Sequence, residues 1–339
     1  MKCCASCIGD QGLRKEIIPI FSKSTGTCSY CATENELLVE PKDLRDYFET
    51  LVNIYSRNED GKTLVEWFKN DWGLFSHPAM DLAHSKELLT EILDDGEIVR
   101  ENFIPSEICH TDRLAVWSEL RTELMYKNRF FPQTEIDEDR LRGLLSLLIV
   151  EMGELPEKWF RARIQQSEEI FLVDKMGAPP KRLASQGRAN PAGIPYLYLA
   201  STQETAVSEI RPHTGELASV ADFIIPQDLK VIDLRNPVST VSPFLLSDES
   251  EVALLRGDIE FLVHLGSELT RPVLPHAVAI DYIPSQYLCE LIKKFGYHGV
   301  IYNSSVGEGI NLALFKPSIA TIGAVEGYRV SRVVVEIEN

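Results

Sequence analysis

Apolar and polar positions follow two regimes along the chain, and the change comes near Leu155-Pro156. Ahead of it, apolar residues recur at three-and-four spacing. In 41–57, Leu44, Tyr47, Phe48, Leu51, Val52 and Tyr55 share one helical face. Further helices are predicted at 86–100, 112–127 and 137–152, each bounded by Asp, Ser, Thr or Pro, residues that cap or stop helices. Trp67, Trp72 and Trp117 are expected to pack this helical layer. Past residue 156, short runs rich in Val, Ile and Tyr predict strands at 196–200, 220–225, 230–234, 276–280, 299–302, 312–315 and 331–337. Helices are predicted at 204–211, 249–269 and 285–295. Ser201 and Glu204 have the spacing of a capping box, which starts the helix carrying Glu209 at that point. The mixture is α+β. No Gly-x-Gly-x-x-Gly joins a strand to a helix, so a Rossmann fold is not expected.

The first 36 residues stand apart from both regimes. Five of the seven cysteines fall within the first 31 residues, a clustering that points to a metal site in a reducing compartment rather than to disulfides. Cys4-x-x-Cys7 and Cys28-x-x-Cys31 form two knuckles, and this spacing lets one turn present two thiolates to one tetrahedral zinc ion. Cys3 is an adjacent spare for Cys4. Four thiolates leave no open coordination position, so the expected Zn2+ is structural. The chain therefore divides into a zinc-binding head at 1–36, a helical domain at 37–155 and an α+β domain at 156–339. A net charge of −17 disfavours nucleic acid as a partner. No apolar run is long enough to cross a bilayer, and MKCCASCIGDQGLRK lacks the apolar core of a secretory leader. A cytoplasmic protein with no membrane or nucleic-acid partner is expected, its oligomeric state left open.

Candidate chemistry concentrates in two stretches. Residues 187–212 read GRANPAGIPYLYLASTQETAVSEIRP and place Arg188, Asn190, Tyr196, Tyr198, Glu209 and Arg211 around one predicted strand and one helix. Residues 302–315 read YNSSVGEGINLALF and place Ser304, Ser305 and Asn311 between two strands, with Gly307 and Gly309 expected to let backbone approach a ligand. Upstream, WFRARI puts Arg161 and Arg163 on one face of an extended segment. Taken singly, Glu209 reads equally well as a solvated helix face, Tyr196 as core and Ser304 as a turn residue. The ordered set and its spacings carry the signal.

Arg, then Glu, then Ser in that order is the signature of the RES domain family, which this chain resembles, and in particular its longer members with a zinc-bearing helical N-terminal region. The family's entering loop usually reads Gly-Arg-Trp-Asn, then Gly, then a strand ending in Tyr. Here it reads Gly187-Arg188-Ala189-Asn190, then Gly193, then Tyr198, with alanine in place of tryptophan. The resemblance implies a core like the ADP-ribosyltransferase fold and NAD+ as substrate. It implies Glu209, Arg188, Tyr198 and Ser304 as catalytic residues, with Ser305 the alternative serine. Arg161 or Arg163, Asn190, Tyr196 and Asn311 would bind substrate. The chemistry is consistent with those residue types. Nicotinamide leaves a pyridinium as a neutral base, so one of the two carboxylates of ordinary glycosidases is dispensable. One glutamate steadies the ribosyl cation, and guanidinium groups hold the diphosphate.

The implied reaction is cleavage of the nicotinamide–ribose bond, by an NAD glycohydrolase or phosphorylase acting as a toxin of a toxin–antitoxin or defence system. The implied partner is an antitoxin. A protein mono-ADP-ribosyltransferase and a non-catalytic module binding NAD or ADP-ribose are the alternatives. The N-terminal helices resemble a class that often contains ribonucleases, but no Arg–His pair stands at short spacing on one helix. A regulatory role is expected for them instead.

Overall fold

The helical periodicity ahead of residue 155 is realised in shorter pieces than the pattern predicts. The structure, a computed structural model, describes residues 1–150 and 152–334. It forms two compact units, Met1–Ala115 with Asn236–Val263, and Val116–Arg235 with His264–Asn339. In the first unit, strands β1 (Ser24–Gly26) and β2 (Glu36–Leu38) pair antiparallel beside the cysteine-bearing turns. A tight turn at Pro41–Leu44 leads into helix Arg45–Val52, and the chain then leaves the helix for strand β3 (Tyr55–Thr63). Tyr55, predicted on the helix face, instead opens an antiparallel ladder with β4 (Asn102–Pro105), and its hydroxyl donates to Asp71 at 2.8 Å. Helices Leu64–Trp72 and Leu82–Leu93 follow, the first opened by a capping box of Thr63 and Glu66. Their apolar faces meet around Phe48, whose ring lies 6.2 Å from Phe68 and 4.9 Å from Phe244.

The second unit is built on one mixed sheet of eight strands. In chain order these are β5 (Ile149–Val150), β6 (Lys158–Ile164), β7 (Leu197–Ala200), β8 (Leu217–Ile224), β9 (Val231–Asp233), β10 (Gly299–Asn303), β11 (Ile310–Leu314) and β12 (Thr321–Arg329). Their spatial order is β12-β8-β6-β7-β11-β10-β9-β5. Every pair is antiparallel except β9 with β10, which the long helix Glu249–Thr270 and helix Ile283–Lys294 connect. The result is a mixed α+β architecture, with no Rossmann-type parallel sheet among the described residues.

Strand alternation gives this sheet two different faces. Trp159, Leu197, Leu199, Phe223, Ile301, Leu312 and Leu314 turn to one side and form the larger core. Ala162, Ala200 and Val220 turn to the other, where Ala206 of helix Gln203–Glu209 packs on them.

Two expectations fail here for identifiable reasons. Residues 276–280 form no strand; Val278–Asp281 is a helical turn running into helix Ile283–Lys294. A five-residue apolar run does not separate strand from helix by its period. Of the strand predicted at 331–337, residues 335–337 lie outside the described residues and 331–334 are not strand; the last strand among the described residues lies earlier. It is β12, hidden by its glycines: a Cβ on Gly323 would meet Asp222 Oδ1 at 2.6 Å, and the ladder shifts register between Ile322 and Val325.

Asp10 carries a testable consequence in the first unit. It is 4% exposed and accepts from Leu13 N and Ser242 Oγ, each at 2.8 Å. Burial outweighs these donors and pushes its carboxyl from the ordinary 3.8 up to about 6. A raised carboxyl adds stability that is present below its ordinary value and lost as pH rises through the folded value. Wild type should therefore gain stability over Asp10→Asn on going from pH 7 to pH 4, by up to about 3 kcal/mol. Parallel denaturant titrations across that range check this, and a constant difference between the two proteins would contradict it.

Candidate functional site

One row of residues crossing four strands forms the floor of a cavity of about 570 Å³ in the second unit. Register sets the row: Tyr302 on β10 faces Asn311 on β11, Asn311 faces Ala200 on β7, and Ala200 faces Phe160 on β6. All four line the cavity, on the face opposite the larger core. Its volume falls within the range of about 300–1,000 Å³ typical of small-ligand sites.

Glu209, the last residue of helix Gln203–Glu209, reaches this row. Its Oε1 accepts from Ser304 Oγ at 2.7 Å and from Asn311 Nδ2 at 2.6 Å. Its Oε2 has no hydrogen-bond partner among the described residues. The helix starts one residue later than its capping-box spacing predicts. Thr202 is the N-cap and accepts from Thr205 N at 3.1 Å, while Ser201 Oγ accepts from Ile310 N at 3.0 Å and ties β7 to β11. Gly309 serves this junction rather than a ligand, since a Cβ there would meet Thr205 Oγ1 at 2.3 Å and Ser201 Oγ at 2.7 Å.

The cavity gathers cations of different standing. Arg188 donates to the Arg271 carbonyl at 2.7 Å and to Ser305 Oγ at 3.1 Å, and its guanidinium lies 5.4 Å from the Tyr282 ring centre. Arg161 lines the cavity and donates to the Tyr198 carbonyl at 3.3 Å. Its buried Nε has no hydrogen-bond partner among the described residues. Burial, with the Arg163 charge adding, pulls the Arg161 guanidinium down to about 10. Arg163 lies two residues on but does not line the cavity. It donates to the Lys175 carbonyl and sits 4.8 Å from the Phe171 ring centre. The structure thus brings Arg161, and not Arg163, to the site. Arg211 lines it too, from the left-handed region at φ 48.

The two tyrosines part in the same way. Tyr198 lines the cavity, donates to Asn190 Oδ1 at 2.7 Å and accepts from Ala189 N at 3.0 Å; burial raises its phenol. Tyr196 is 1% exposed, donates to Glu290 and packs against Phe315, outside the cavity. Asn190 is also outside: its Nδ2 donates to the carbonyls of Ser185, Pro191 and Ile194 at 2.9–3.0 Å, so its amide organises the entering loop. Phe160, Tyr282 and Tyr302 were not anticipated. Phe160 and Tyr302 were legible only through strand register. Tyr282 was obscured because its segment reads as a strand.

In the first unit, Cys4, Cys7, Cys28 and Cys31 converge, their four Sγ atoms all within 4.8 Å of one another and buried. Measured pairs are 3.9 Å for Cys4–Cys7, 3.5 Å for Cys4–Cys31 and 3.1 Å for Cys7–Cys28. A tetrahedral ion with sulfur ligands at about 2.3 Å sets its ligand atoms about 3.8 Å apart, so the cluster fits one. Cys3 stays out of the group because its backbone bridges Val39 in both directions at 3.0 Å. Mutual interaction of these crowded thiols pulls the Cys28 thiol down and pushes those of Cys4 and Cys7 up.

The RES domain family model matches residues 158–332, more than half of the 339, and the chain belongs to the RES domain family. Among solved structures, the M. tuberculosis MbcT–MbcA toxin–antitoxin complex holds a chain 13% identical to this one. The match has a TM-score of 0.32 and covers 58% of this chain and 94% of that chain. No curated protein sequence matches.

The entering loop makes a steric prediction. A Cβ on Gly187 would lie 2.5 Å from Tyr198 Oη and 2.6 Å from Asn190 Oδ1. Gly187→Ala should break that hydrogen bond and cost about 1–3 kcal/mol. A melting temperature equal to that of wild type would show that the loop yields without loss.

Proposed function

We propose that the second unit cleaves the nicotinamide–ribose bond of NAD+. The observation that carries this reading is the Glu209 carboxylate, held by Ser304 and Asn311 in one cavity with Arg161, Arg188 and Tyr198. The C1′–N bond breaks, and its electron pair leaves with neutral nicotinamide, so no general acid is required. Glu209 stabilises the cation that develops at C1′, and its open oxygen is free to face it. Arg188 and Arg161 bind the diphosphate, where bidentate guanidinium contacts suit phosphate oxygens. Tyr198, Tyr302 and Phe160 supply the aromatic surface for the leaving ring. Water as acceptor gives ADP-ribose and a proton, inorganic phosphate gives the 1″-phosphate, and a protein side chain gives an ADP-ribosylated product. An antitoxin that covers this cavity fits the reading, as does a cytoplasmic location. Residues 156–339 are the catalytic part of this proposal, and 37–155 a regulatory helical part.

Zn2+ belongs to the same proposal as a structural ion held by Cys4, Cys7, Cys28 and Cys31. Of the apolar residues between the knuckles, Ile8, Leu13, Ile17 and Ile18 are buried and Ile20 is 77% exposed. So small a core does not offset chain entropy without a metal.

Incubating the purified protein with NAD+ and following free nicotinamide, with and without phosphate, tests the activity and its acceptor. Glu209→Gln keeps the shape but loses the charge and should lower turnover by about 10²–10³. Near-full turnover in that variant would remove Glu209 from the role. For the head, protein purified under reducing conditions should carry one zinc per chain, and Cys28→Ser should lose it together with the fold of the head. Elemental analysis and circular dichroism read both effects, and wild-type protein without metal would overturn the assignment.

A further inference from the structure

Arg271 lies outside the cavity, yet its own backbone is one of the groups that aim Arg188. Its carbonyl accepts from Arg188 Nη1 at 2.7 Å. Its own guanidinium donates to the Asp281 carbonyl at 2.7 Å, closing the ten-residue excursion between the two helices on either side. That excursion supplies Val273, Pro275, His276 and Val278 to the cavity wall. It ends at Tyr282, whose ring lies 5.4 Å from the Arg188 guanidinium. Ser285 Oγ then donates to the Arg188 carbonyl at 2.6 Å and Gln286 Nε2 to the Gly187 carbonyl at 2.8 Å.

Arg271 is in turn held from behind. Its Nε lies 3.4 Å from Glu268 Oε2, in an ion pair without hydrogen-bond geometry. Glu268 is 2% exposed, and its other oxygen accepts from Arg121 Nε at 2.8 Å and lies 3.5 Å from His264 Nε2. A buried carboxylate is tolerated when it is paired, so Glu268 keeps Arg121 and Arg271 in place. The arrangement is a relay: Glu268 fixes the Arg271 fork, the fork fixes both ends of the wall, and the two ends fix the Arg188 side chain.

We propose that Arg271 is the positioning residue for Arg188, closing the cavity wall and setting the angle at which Arg188 meets the phosphates of the substrate. The inference rests on the NAD+-cleaving reading for its kinetic arm only. Arg271→Ala should lower kcat/KM by about 10-fold to 100-fold, mostly through KM, because misplacement of a binding group by about 1 Å has effects of this size. Arg271→Lys keeps the charge beside Glu268, but a single ammonium cannot span Glu268 and the Asp281 carbonyl. It should fold as wild type and fall between wild type and the alanine variant.

Pairing Arg271→Ala with Arg188→Ala gives the decisive cycle. If Arg271 acts through Arg188, the double variant is no worse than Arg188→Ala alone. Full additivity, or a loss in kcat alone, would overturn the proposal. Amide hydrogen exchange of 272–282 and 187–190 provides an arm free of substrate. It should quicken in both Arg271 variants while exchange elsewhere in the sheet stays unchanged. Unchanged exchange in both segments would also overturn it. Wild-type protein that releases no nicotinamide would refute the proposed function and leave the exchange arm to decide the positioning role alone.

Discussion

Two hydrogen bonds onto one oxygen of Glu209 tie three separate stretches of chain into a single site. Ser304 comes from the turn after β10, Asn311 from β11, and Glu209 from the end of a seven-residue helix packed on β6 and β7. Hydrogen bonds to a charged group contribute about 1.5–3 kcal/mol each, more than neutral ones. The pair also meets a packing demand. Asn311 is 6% exposed in the middle of a sheet, and its amide requires an acceptor there. The carboxylate that satisfies the buried amide is thereby held at the cavity by the same contact. Stability and placement of the charged group are thus one constraint.

That constraint explains the glycines and hydroxyls around the junction. Bringing β11 close enough to present Asn311 forces the chain at Gly309 against Thr205 and Ser201, where any side chain would collide. Ser201 then serves the sheet by accepting from Ile310 N, which leaves the helix to be capped by Thr202. On the other side of the cavity the same economy appears at Asn190. A fully engaged amide inside a loop gives Tyr198 its acceptor, and Gly187 leaves room for both. Polar side chains that look catalytic in a linear motif thus divide into those that face the cavity and those that build its rim.

The division marks what was readable in the sequence. Glu209, Arg188, Tyr198, Ser304, Ser305 and Asn311 could be found because their order and spacing survive in one dimension, and the structure brings them together. Arg161 and Arg163 share a strand face, so alternation could not separate them. What separates them is the loop carrying Phe171 and Lys175, which captures Arg163 from a distance in sequence that no period encodes. Tyr196 and Tyr198 pose the same problem, resolved by Glu290 on a helix 94 residues downstream of Tyr196. Strands β7 to β11 were legible from β-branched runs, whereas β1 to β5 were not. β12 was not, because Gly323 answers to Asp222 on a neighbouring strand and Gly327 to Ile170, and 276–280 misled because a helix can begin with the same residues as a strand. Among the cysteines, spacing alone named the four that converge, because each pair is local to one turn.

The loop residue that departs from the family's pattern shows how such a site tolerates change. Where Gly-Arg-Trp-Asn is usual, this chain has Ala189, which is 0% exposed and donates its N–H to Tyr198. A large ring at that buried position would have to displace its neighbours, so here the loop is packed around the smaller residue. The aromatic neighbour of Arg188 is then Tyr282, which arrives from a different segment altogether. A guanidinium beside a ring face gains about 0.5–2 kcal/mol whichever segment supplies the ring. Orientation of the arginine is therefore a property of the cavity wall rather than of the four-residue motif, and the motif alone under-describes the site that it marks.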